Sequence, residues 1–189
     1  MRRTVIRSAS EAEQLHTRVV DSAERTVAWL RSFSGNAMSL LRAMRFQTVG
    51  HDPLTGEPLN VVEQLNQTFT ILVSLRAVER LFELHPEAGG YRLALGTSSG
   101  RDVESIQPGL VAAEVFSATR PESNQKLKKD VGRLASDSAR YRYVFFSSPN
   151  YASGRQPQLE TASGVEVHCI DLLRAEPARK RPSPTTISA

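Results

Sequence analysis

The chain has 189 residues, 40% hydrophobic and 23% charged, which suits one ordinary globular domain with a sizeable core. Its 24 Lys and Arg against 20 Asp and Glu leave a charge of +4, compatible with a nucleic-acid partner but not demanding one. A lone cysteine, Cys169, excludes an internal disulfide and a cysteine-built zinc site. The scattered His16, His51, His85 and His168 show no ligand spacing, and no apolar run approaches the ~20 residues that span a bilayer.

The basic start MRRTVIRSAS lacks the apolar stretch of a secretory signal, so a cytoplasmic location and no membrane partner are expected. Residues 10–32 read as a helix, with Ser10 and Glu13 as a capping box and Leu15, Val19, Ala23 and Val27 at helical spacing. A shorter helix is expected over Asn36–Phe46. Residues 1–50 thus form an N-terminal helical arm, expected to be less tightly tied to the sheet than the remainder of the chain. It is suited to covering the core or pairing two subunits as a homodimer, or else to laying Arg18, Arg25, Arg31, Arg42 and Arg45 along a nucleic acid.

The cluster HDPLTGE (51–57) marks a turn. Asn60 then caps a long helix to about Glu83, with Glu63 closing a second capping box and an apolar middle that predicts burial. Pro86 and two glycines stop it. Strands are predicted at Tyr91–Leu95, Arg101–Ile106 and Leu110–Ala118, linked by a small-residue turn at Gly96–Gly100 and a tight turn at Gln107–Gly109. A helix over Pro121–Asp137, a strongly β-prone strand over Arg140–Ser148 and a last strand over Val165–Leu172 complete residues 51–173. The polar, basic segment 174–189 reads as a disordered tail.

The charged residues around the second and third strands carry the functional reading. Asp102 and Glu104 are two apart and share a strand face. Glu114 interrupts the apolar run LVAAEVFSA, with Ala112 and Phe116 on its face and Val111, Ala113 and Val115 on the other. Lys126 and Lys129 open the following helix, and Asp130 and Arg133 continue its polar side. Carboxylates on adjacent strands beside lysines at a helix start suit a divalent cation and a phosphate. Each residue also has a plainer role open to it. Glu63 fits its capping box, and Glu114 fits a buried pair with an Arg or Lys. Asp102 and Glu104 fit a solvated strand face, and the lysines an exposed helix flank.

The element order α-β-β-β-α-β over Asn60–Ser148 resembles the core of the PD-(D/E)xK nuclease superfamily, the restriction-endonuclease-like fold. The resemblance implies an α/β fold, a mixed sheet flanked by helices, with Asp102 at the motif Asp and Glu114 at the motif Glu. It further implies Mg²⁺ (or Mn²⁺) held by Asp102 and Glu114, with Glu104 and the helix-borne Glu63 as additional ligands. The implied activity is phosphodiester hydrolysis in DNA or RNA, DNA favoured. Phe116 stands where the motif lysine belongs. Some members of the superfamily recruit a basic residue from the next helix, and Lys126 and Lys129 are the candidates. The alternative is a catalytically inactive nuclease-like protein that binds nucleic acid or a protein partner.

Overall fold

The computed structural model describes residues 3–94, 100–122, 125–162 and 164–172. The turn expected at Gly96–Gly100, apart from Gly100, and the tail expected from 174 lie outside them.

Local signals fix the helices. Ser8 caps α1 (Ala9–Ser32), accepting from the Glu11 N–H at 3.2 Å, while the Arg7 N–H donates to the Glu11 carboxylate at 2.7 Å. The sequence SASEAE holds two overlapping capping boxes, and the one two residues before Ser10–Glu13 is used. Asn36 caps α2 (Ala37–Phe46). At α3 (Val61–Leu84) the expected box forms in both directions: Asn60 accepts from the Glu63 N–H and its amide donates to the Glu63 carboxylate, each at 2.9 Å.

The strands are β1 (Arg3–Ile6), β2 (Gly50–His51), β3 (Pro58–Leu59), β4 (Tyr91–Ala94), β5 (Val103–Ser105), β6 (Val111–Ser117), β7 (Tyr141–Ser147), β8 (Gly154–Arg155) and β9 (Glu166–Cys169). β2 and β3 form a small separate hairpin around the turn at 52–57. The other seven make one mixed sheet in the order β1-β4-β5-β6-β7-β9-β8. From β1 to β6 neighbours run antiparallel; β6 with β7 and β7 with β9 are parallel. α4 (Lys126–Ala135) makes the crossover between β6 and β7 that a parallel pair requires.

The period-2 pattern of β6 sorts the core into two layers. Val111, Ala113 and Val115 pack with α1 and α3 through Val19, Leu75, Val78 and Leu81. Ala112 and Phe116 pack on the opposite face against Leu127, Val131 and Leu134 of α4. Residues 1–50, expected as a less tightly tied arm, give β1 to the sheet edge and place Ile6, Ala12 and Val19 in the first layer with no exposed surface.

One buried side chain braces this half. The Gln64 carbonyl accepts from the Thr26 hydroxyl at 2.7 Å and the His51 N–H at 3.0 Å; its amide donates to the Ser22 carbonyl and hydroxyl, both at 3.1 Å. Both ends of the amide thereby tie α1, the β2–β3 hairpin and α3 together. Gln64→Ala strands several of these partners in the interior, so urea denaturation is expected to register a loss of about 1–3 kcal/mol. A loss within about 0.5 kcal/mol, the range of an ordinary surface change, would refute the brace.

Candidate functional site

Asp102 and Glu114 come together because β5 and β6 pair antiparallel. Val103 faces Ala113 and Glu104 faces Ala112 across the ladder, so the next pair outward sets Asp102 beside Glu114. One Asp102 oxygen accepts the Val115 N–H at 2.9 Å, locking its carboxylate onto β6. Glu114 is 0% exposed and in side-chain contact with Asp102.

Helix α4 covers the pair from the same side of the sheet. Asp130 is also 0% exposed; its Oδ1 accepts from Lys126 Nζ at 2.9 Å and from the Arg133 guanidinium at 2.8 Å. Arg133 reaches onward to within 3.3 Å of Glu114 Oε1. Lys126, Asp130 and Arg133 are four and three residues apart, so one helix stripe carries all three. The Lys126 ammonium stands 5.8 Å from the Phe116 ring centroid, within cation–π range.

The electrostatics follow from this crowding. Burial, then the hydrogen bond and charge of Asp102, push the Glu114 carboxyl up to about 8; Arg133 pulls the other way and does not win. Neither Glu114 oxygen has a protein donor in hydrogen-bonding geometry. Two facing carboxyls share a hydrogen bond only if one keeps a proton, and burial assigns that proton to Glu114. The site is therefore an acid pair, one member protonated near neutral pH, with two half-exposed cations beside it.

The other expected site residues lie elsewhere. Glu63 is occupied by its cap on α3, and α3 covers the sheet face opposite Glu114, so the sheet separates the two. Glu104 lies on the correct face but opposite Ala112, with the Arg101 guanidinium 3.9 Å away. Lys129 is exposed and does not join Lys126 at Asp130; Arg133 does. Asp130 and Arg133 are thus the members that the sequence does not single out, although their spacing from Lys126 is visible in it. Among the described residues no three His, Cys, Asp or Glu side chains are grouped as a metal-binding set, so the four-carboxylate arrangement is not assembled. Two carboxylates, Asp102 and Glu114, are.

His168, expected to pack in the core alongside Cys169, is buried against Tyr143 and Phe145 and paired with Glu166 at 3.0 Å. Val165, Val167 and Cys169 share the opposite layer, as their alternation predicts. No helix among the described residues is long and apolar enough to cross a membrane. Comparison with protein-family models, curated proteins and solved structures finds no match for the chain, so its fold is stated as what the coordinates display: a mixed α/β domain with a seven-stranded sheet and four helices among the described residues.

Proposed function

We propose that this protein is a metal-dependent phosphodiesterase acting on nucleic acid, DNA favoured, built on a restriction-endonuclease-like core. The order α3-β4-β5-β6-α4-β7, with β4, β5 and β6 antiparallel and β7 parallel to β6, supports the core assignment. One observation carries the chemistry. The Asp102–Glu114 pair has the ammonium of Lys126 beside it, over the ring of Phe116, the residue that stands at the motif-lysine position.

The two carboxylates fit a magnesium or manganese ion, because Glu114 offers two buried oxygens that no protein donor satisfies. Such ions commonly take one or two carboxylates and fill their shell with water and substrate phosphates. A bound divalent ion supplies Lewis acidity and lowers the pKa of attached water. The chain's own residues do the rest. The Val115 N–H orients Asp102, and Glu114 gives up its proton when the site takes a cation. Lys126 offsets negative charge developing on the phosphate. Asp130 and Arg133 hold Lys126 and Glu114 in register.

Incubating the protein with single- and double-stranded DNA and with RNA, in Mg²⁺, Mn²⁺ or EDTA, tests the proposal. Cleavage is expected in the metal arms, absent in EDTA and lost in Asp102→Asn. No cleavage of any substrate, or cleavage indifferent to Asp102, would sink it.

A second reading is a non-cleaving protein on the same core that binds nucleic acid or a protein partner. The observation favouring it is that Glu114 has no exposed surface while Arg133 sits 3.3 Å from it. Tight DNA binding, unchanged by EDTA and without products, would decide for that reading.

A further inference from the structure

Six of the seven large hydrophobic side chains exposed among the described residues lie on the three leading helices. They are Val27 on α1, Met38, Leu41 and Phe46 on α2, and Leu65 and Phe69 on α3. Scattered singly such residues need no explanation, whereas a concentration of them marks an interaction surface. α2 rests on α3 yet buries only Ala43, leaving Met38 73% and Phe46 77% exposed. Beside it runs a groove of about 600 Å³ between α1 and α3, walled by Val20, Ala23 and Val27 on one side and Thr68 and Leu72 on the other.

The charges say what fits there. α2 carries Arg42 and Arg45 and no acidic residue in its first turn or elsewhere, and both arginines are exposed. Glu24 borders the groove from α1, also exposed. None of these three is ion-paired among the described residues. One chain therefore offers a basic helix with an apolar side and an apolar groove with an acidic edge. A two-fold axis satisfies both at once, because an isologous contact uses each patch twice. A phosphate backbone would be served by the arginines but not by Met38, Leu41 and Phe46. An anionic lipid surface would meet Glu24 as a like charge.

We propose that two copies of this chain associate through this face, α2 of each seated in the α1–α3 groove of the other with Arg42 and Arg45 against Glu24. The association does not depend on the hydrolytic reading of the acid pair, which lies on the α4 side of the sheet.

Light scattering on size-exclusion fractions across micromolar concentrations tests it. The wild-type chain is expected at twice its 20.9 kDa mass. Leu41→Asp, at a position already 57% exposed, should give a monomer with an unchanged circular dichroism spectrum. Glu24→Arg alone, or Arg42→Glu with Arg45→Glu, should weaken association about tenfold or more, and combining all three should restore it. A monomeric wild type, a dimeric Leu41→Asp, or a combined variant no tighter than its parents overturns the proposal. So does Leu41→Asp losing DNA or anionic vesicles without a change in mass, which would assign the face to those ligands.

Discussion

Glu114→Gln is expected to lower metal-dependent cleavage by on the order of 10³-fold while making the metal-free protein less sensitive to alkaline pH. Both effects come from one side chain. The Glu114 carboxyl moves from 4.5 in the unfolded chain up to about 8 in the fold, mainly through burial. The folded state thus keeps a proton that the unfolded state releases. Its stability is fully present below pH 4.5 and is lost as pH rises through about 8. A tenfold difference in proton affinity between the two states is worth about 1.4 kcal/mol, so the loss is on the order of a few kcal/mol. Glutamine mimics the neutral acid and has nothing to titrate. Urea denaturation without metal at several pH values between these limits should show the wild type weakening and the variant flat. A parallel decline in both would place the titration on another group. Full cleavage by the variant would remove Glu114 from the chemistry.

The second large effect is expected at Lys126. If its ammonium meets charge that develops only as the phosphate reacts, Lys126→Ala should lower kcat about 10²–10³-fold with little change in KM. Lys126→Arg should retain part of the rate, since a guanidinium can still pair with Asp130. Lys129→Ala, at an exposed position, should stay within about twofold. Initial rates over a range of DNA concentration separate the cases. The reverse order, with Lys129 mattering and Lys126 not, would move the cation away from Phe116 and undo the geometry argued for it.

Much of this is legible in the sequence because several of its signals are local. Period-2 alternation in β6 sorts Ala112, Glu114 and Phe116 from Val111, Ala113 and Val115, and the two core layers divide along that line. The Asn60–Glu63 box places the start of α3 to the residue. A linear pattern does not state which helix covers which face. Glu63 and Glu114 therefore read as potential neighbours in one dimension, although the sheet lies between them. β1 escapes prediction because four residues, RTVI, are too few to show a period. Two-residue β8 hides within a Ser- and Gly-rich loop for the same reason. Arg133 needs one more step along the stripe from Lys126 through Asp130. The capping box at Ser8 is legible, but the same type of pattern two residues later competes with it.

The acid pair joins two strands, while its cations come from the helix after them. Asp102 reaches Glu114 only after β5 and β6 close, and Lys126 and Arg133 arrive only once α4 has docked over them. A nascent chain emerging from the ribosome consequently keeps these groups apart until well after Glu114 has been made. Incomplete or unravelled copies would be chemically silent towards the nucleic acid around them, and folding itself would act as the safety catch.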